Sequence, residues 1–105
     1  MTFDFKDKVV LITGAGSGLG YACAVAFANA GAKVAITDIS QNVLDKAIVA
    51  LRDTGTEVLG LLNDASDSGD VNILLDAIIT RFGRLDIAVN NAGTATPLQE
   101  FHEVG

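Results

Sequence analysis

Four short apolar runs alternate along this chain with segments whose apolar residues recur every three to four positions, and glycine stands at most of the junctions between them. The first run, Val9 to Thr13, is rich in β-branched residues and closed by Gly14, as a strand buried on both faces requires. Leu19, Ala22, Cys23, Ala26, Phe27 and Ala30 then fall at helical spacing, and Gly31 stands where a left-handed helix cap belongs. Lys33 to Asp38 predicts a second strand. Ser40 suits the N-cap of a helix that turns Val43, Leu44, Ala47, Ile48 and Leu51 inward and stops at Gly55. Glu57 to Leu62 predicts a third strand, and the polar stretch Asn63 to Asp70 leads into a helix with Val71, Leu74, Leu75, Ile78 and Phe82 facing inward, ended by Gly83. Leu85 to Val89 predicts a fourth strand, while Asn90 to Gly105 shows no period.

Strands that alternate with helices must lie parallel, because parallel neighbours can be joined only by a long crossover over one face of the sheet. The expected architecture is therefore doubly wound α/β. With 105 residues and no repeat, linker or low-complexity tract, the chain reads as one domain spanning 1–105. A formal charge of −6 repels phosphate backbones and anionic headgroups alike, so neither nucleic acid nor a membrane surface is an expected partner. No apolar run approaches the roughly 18 residues of a spanning helix, and Met1 to Lys8 carries no signal pattern; a cytoplasmic location is the expectation. Cys23 stands alone, which excludes an internal disulfide and a cysteine-rich zinc site, and no metal site is read.

The most informative segment is Thr13-Gly14-Ala15-Gly16-Ser17-Gly18-Leu19-Gly20, between the first strand and the first helix. Residues without Cβ let the chain turn tightly and let a pyrophosphate approach main-chain N–H groups, while the helix N-terminus contributes about half a positive charge. Such a loop is an anion cradle. The string G-x-G-x-x-G does not fit, because its third glycine falls on Leu19 from Gly14 and on Tyr21 from Gly16; the spacing is T-G-x-x-x-G-x-G. A phosphate loop closed by lysine and serine or threonine fails too. A turn without a ligand is the competing reading, but the loop joins a buried strand to a helix near the chain start, where a dinucleotide fold needs it.

Asp38 ends the second strand, eighteen residues after Gly20, close to the ~20 expected of the acid that bonds the adenosine ribose hydroxyls. A carboxylate there repels the 2′-phosphate of NADP, and Ile39, Ser40 and Ser17 supply no cation to neutralise it, so NAD is favoured. The competing role for Asp38 is to start the next helix as its cap, for which Ser40 is already placed.

These residues resemble the short-chain dehydrogenases/reductases. Thr13 to Gly20 is similar to that family's cofactor loop, and Asn90-Asn91-Ala92-Gly93 is similar to its N-N-A-G segment, which supports the central sheet and borders the nicotinamide ribose. An isolated Asn-Asn pair reads as an ordinary turn; at the end of a buried strand, in order with the other motifs, it is more specific. Asp64 matches the acid that contacts the adenine ring in the family. The resemblance runs from about Lys8 to Pro97 and implies a Rossmann-like sheet of strand order 3-2-1-4 with helices on both faces. It implies NAD(H) as cofactor, with Thr13, Gly14, Ser17, Gly18, Leu19, Gly20, Asp38, Asp64, Asn90, Ala92 and Gly93 as its binding residues.

Members of that family exchange a proton through a tyrosine, a lysine four residues later and a serine, and none of the three can be assigned here. Tyr21 has Val25 at the lysine position and reads as packing; Cys23 reads as a small core residue and His102 as a solvated side chain. A tyrosine of ordinary pKa near 10 needs a neighbouring cation to work at neutral pH, so this chain alone is expected to be inactive. Within a complete protein it would serve hydride transfer between NAD and a secondary alcohol or ketone. A non-catalytic dinucleotide-binding or interaction module is the alternative. A methyl-donor-binding fold shares the glycine loop and the acid, but the Thr-Gly start and the Asn-Asn-Ala-Gly segment speak against it. The family's strand order leaves the fourth strand with one open edge, apolar through Leu85, Ile87 and Val89, so the chain is expected to be marginal or self-associating, or to be completed by a further segment.

Overall fold

The computed structural model describes residues 4–15, 18–62 and 68–91, with the backbone alone for 68–70. Strands β1 (Val9–Ile12), β2 (Lys33–Asp38), β3 (Val58–Leu62) and β4 (Ile87–Val89) form one sheet in the order β3-β2-β1-β4. All three pairings are parallel, with Leu11 opposite Ala35 on one side and Ala88 on the other. Helices α1 (Gly18–Asn29), α2 (Gln41–Arg52) and α3 (Ser68–Phe82) connect them. The expected doubly wound sheet and its strand order are present.

β1 is central, and this explains its uninterrupted apolar run: Val9, Val10, Leu11 and Ile12 are all fully buried. Because side chains alternate across a strand, Val10 and Ile12 join Ala24 of α1 and Leu44, Ala47 and Leu51 of α2 in one core layer. Val9 and Leu11 join Leu74 and Ile78 of α3 and Ala88 of β4 in the other. Each fully buried Leu or Ile contributes roughly 1.5–3 kcal/mol relative to exposure, so the two layers together hold the sheet.

Four local expectations needed correction. The apolar face of α1 is not the one read from spacing: Leu19, Ala22 and Ala26 are exposed, while Gly20 and Ala24 are buried. The helix is apolar almost all round, so no polar stripe fixed its phase, and small residues win the sheet side because they allow close approach. β4 begins at Ile87 rather than Leu85, and β1 ends at Ile12, although the Thr13 N–H still bonds the Val89 carbonyl at 3.1 Å. β3 begins at Val58 rather than Glu57. The helix stops hold as read, with Gly31, Gly55 and Gly83 at φ 97°, 87° and 80°.

The start of β4 is pinned to the start of β1 by Asp86. Its carboxylate accepts from the Val9 N–H at 2.8 Å and is gripped by Arg84 at 2.7 and 2.9 Å. Chiefly through the Arg84 hydrogen bonds, the Asp86 carboxyl is held below its ordinary value of 3.8. A depressed folded-state pKa adds stability that is fully present above the unfolded value and lost as pH falls through the folded one. The stability gap between wild type and Asp86→Asn, about 1 kcal/mol near neutrality, should therefore shrink on acidification below pH ~4. Urea melts across a pH series check this, and a gap that stays constant contradicts it.

Candidate functional site

In open parallel sheets the crevice for a ligand lies beyond the carboxyl ends of the strands. The described part of that edge carries Thr13 and Gly14 after β1, Asp38 at the end of β2, Leu62 at the end of β3, and Asn90 and Asn91 after β4. Ser17, Asp64, Ala92 and Gly93, expected to belong to the same site, lie outside the described residues.

The loop after β1 is tied down at its base. Thr13 is fully buried, its hydroxyl accepts from the Asn91 N–H at 3.0 Å, and Asn91 Nδ2 donates to the Gly14 carbonyl at 3.3 Å. The same hydroxyl has two acceptors in reach, the Asn90 Oδ1 at 3.3 Å and the Val89 carbonyl at 3.5 Å, and it carries one proton for both. On the β2 side the Ala15 N–H donates to the Thr37 carbonyl at 2.9 Å. Two motifs that the sequence separates by more than seventy residues are thus one hydrogen-bonded unit.

Asn91 is the residue that sequence reasoning passed over within that unit. It was read only as part of the Asn-Asn-Ala-Gly string, yet both its backbone and its side chain grip the loop. The available signal was the pairing of a Thr-Gly start with an asparagine after the fourth strand; spacing alone carries no contact.

Gly14 and Gly18 both sit at φ 60°, a conformation that a Cβ strains. A Cβ at Gly18 would meet nothing within 4 Å, so the space on that side of Gly18 is open. At Gly20 the case is opposite: a Cβ would collide with the Gly14 carbonyl oxygen and lie 2.5 Å from Asn91 Nδ2 and 3.1 Å from Ala15 Cα. One glycine leaves room for an approaching group, and the other lets α1 close onto the loop. The first turn of α1 has no acidic residue, so the positive end of the helix dipole is not offset there. Leu19 is 72% exposed at this end.

Asp38 is partly buried, and its Oδ1 accepts from the Ser40 N–H at 3.0 Å. Ser40 is the N-cap of α2, its hydroxyl accepting from the Val43 N–H at 3.4 Å. The capping role therefore belongs to Ser40, and Asp38 stands at the strand end beside it. Ile39 is 76% and Leu62 55% exposed, so two large apolar side chains flank the acid at the edge, Leu62 being its register partner. Tyr21 and Cys23 of α1 are half-buried and pack against the α1–α2 core layer, as their packing role requires. Among the described residues no group of acidic, histidine or cysteine side chains could hold a metal ion.

A parallel sheet of this order, with a glycine loop leading from its central strand into a helix, defines a Rossmann-like doubly wound domain. The short chain dehydrogenase family model matches residues 8–105, and the chain belongs to that family. It is 42% identical to the short chain dehydrogenase/reductase astE of Aspergillus oryzae, over 96% of this chain and 40% of the relative. The crystal structure of a short chain dehydrogenase/reductase from Burkholderia phymatum in complex with NAD superposes with a TM-score of 0.79 at 38% identity, covering 83% of this chain and 31% of that one. NAD+-bound xylitol dehydrogenase superposes with a TM-score of 0.82 at 34% identity, covering 86% and 35%. The chain therefore spans well under half the length of the relatives it matches.

Proposed function

We propose that this chain is the NAD(H)-binding portion of an oxidoreductase that moves hydride between NAD and a secondary alcohol or ketone. The observation that carries the reading is the junction at Gly20, where α1 closes onto a loop held by Thr13 and Asn91 while the space beside Gly18 that a Cβ would take is open. Main-chain amides at that helix start are suited to a pyrophosphate. In this reading Thr13, Gly14, Ser17, Gly18, Leu19 and Gly20 form the phosphate side of the site. Asp38 holds the adenosine ribose, Asp64 the adenine, and Asn90, Ala92 and Gly93 border the nicotinamide ribose. The NAD held by two structural relatives supports the choice of cofactor.

Hydride chemistry is supplied by the bound nicotinamide; this chain's residues bind and orient it. No catalytic residue is assigned among the 105, so proton exchange with substrate is left to groups that the family resemblance places elsewhere. Calorimetry of one sample with NAD, NADP and S-adenosylmethionine tests the proposal. NAD should bind, NADP more weakly and the methyl donor not at all; a folded sample with no affinity for NAD refutes it.

The remaining expectations belong to the same proposal. Among the described residues β4 pairs with β1 alone, and no helix is long and apolar enough to cross a membrane. We place the protein in the cytoplasm and expect the free edge of β4 to recruit a second chain of the same kind. Sedimentation over a concentration series should show association, and a concentration-independent monomer contradicts it.

A further inference from the structure

β4 has three residues and one buried side chain, the small Ala88. Ile87, Ala88 and Val89 offer little contrast between faces, so hydrophobic patterning alone fixes their register weakly. A slip of one residue would flip every side chain and carry Asn91 away from the Gly14 carbonyl. Something else must hold the strand in place.

We propose that Asp86 is a positioning residue: clasped by Arg84 and latched to the Val9 N–H, it sets the register of β4 and thereby keeps Asn91 locked on the glycine loop at the opposite end of the strand. The geometry is that of a strut fastened at both ends. At the base, the Val9 N–H reaches Asp86 Oδ2 at 2.8 Å and the Asp86 N–H returns to the Val9 carbonyl at 2.9 Å. At the top, the Thr13 N–H reaches the Val89 carbonyl at 3.1 Å, and Asn91 closes on the Thr13 hydroxyl and the Gly14 carbonyl at 3.0 and 3.3 Å. Five residues at ~3.3 Å each separate the two fastenings by roughly 16 Å, so Asp86 cannot touch a ligand at the loop. Its influence there passes through strand register. The buried Val9 N–H faces the carboxylate, so removing the acceptor strips this donor of its partner and loosens the hold on the strand.

The decisive readout is amide hydrogen exchange at Asn91 in the chain without cofactor, which does not depend on the NAD reading. Asp86→Ala should speed exchange of the Asn91 N–H by about tenfold or more beyond that in Ile48→Ala, a truncation in the α2–β3 packing remote from β4. Asp86→Asn keeps an oxygen for the Val9 N–H and should retain most of the protection. Should the alanine variant not fold, Arg84→Met, which strips the fork and leaves the latch, carries the same comparison with a smaller acceleration. Asn91 exchange that merely follows global stability, equal in Asp86→Ala (or Arg84→Met) and in the control, overturns the proposal. A second arm rests on the NAD reading: the dissociation constant for NAD should rise roughly 2- to 30-fold in Asp86→Ala and less in Asp86→Asn. Absence of NAD binding in the wild type removes that reading and leaves the exchange comparison to judge the strut by itself.

Discussion

Gly20→Ala is expected to abolish detectable NAD binding and to destabilise the chain, although alanine is the better helix former. In an exposed helix interior the exchange would gain about 1 kcal/mol. Here the new methyl would press on the Gly14 carbonyl oxygen and lie 3.1 Å from Ala15 Cα, both backbone atoms that cannot rotate away. It would also lie 2.5 Å from Asn91 Nδ2 and so displace the donor that holds the loop. Overpacking of this kind costs roughly 1–3 kcal/mol and the lost hydrogen bond about 1 more, so the net effect is a loss of some 1–3 kcal/mol. The melting temperature should fall by about 4–8 °C per kcal/mol in a domain of this size.

Two companion variants show what is particular to Gly20. Gly60→Ala meets Ile48, with Cγ1 at 2.6 Å on a β-branched side chain whose χ1 is restricted in a helix, so it too costs stability, but on β3 and away from the loop. Gly18→Ala meets no atom within 4 Å, so the strain of its positive φ remains, roughly 1–2 kcal/mol, together with obstruction of the open approach. Gly20→Ala should therefore combine a stability loss of the kind Gly60→Ala shows with the binding loss that Gly18→Ala shares. Thermal melts and NAD titration of the three variants test the ordering; wild-type affinity in Gly20→Ala would refute the role given to the junction.

Asp38→Ala should bring the affinities for NAD and NADP within about tenfold of each other, from a wild-type preference of roughly 100-fold. A carboxylate and a phosphate ~4 Å apart repel by about 4 kcal/mol at the effective dielectric of a protein surface, and screening at this partly exposed edge reduces that. In the proposed role the alanine variant would also lose the hydrogen bonds to the ribose hydroxyls, so NAD itself should bind more weakly by about tenfold. The Ser40 cap remains to hold α2, and stability should change little by comparison. Titration with both dinucleotides decides the matter: unchanged selectivity rejects Asp38 as the chooser.

The parallel sheet was legible because its signals are redundant. β1 is a continuous apolar run and β2 has an apolar centre from Val34 to Ile36, each followed by a helical segment, and Gly31, Gly55 and Gly83 mark the helix ends at positive φ. The inward face of α2 was legible for a related reason, since Gln41, Asn42, Asp45, Lys46 and Arg52 mark its wet side. The face of α1 was not, because a helix of alanine, glycine, valine and phenylalanine gives no such contrast. In the candidate site, Thr13, the glycines and Asp38 stand out by spacing because turn chemistry and charge are local properties. Asn91 and Asp86 could not. Each acts through a partner on another strand, Gly14 or Val9, and the contact exists only once β4 lies beside β1.

The loop after β1 also divides into halves of different character. The Thr13 N–H, the Ala15 N–H and the Gly14 carbonyl are all engaged by the protein itself, facing β4, β2 and Asn91. Gly18 and Leu19, at the helix end, face outward. In the proposed reading, an anion arriving here meets a fastened hinge plate behind it and the exposed rim of Gly18 and Leu19 in front. Changes in the first half alter how firmly that plate is bolted down, whereas changes in the second alter what the visitor touches.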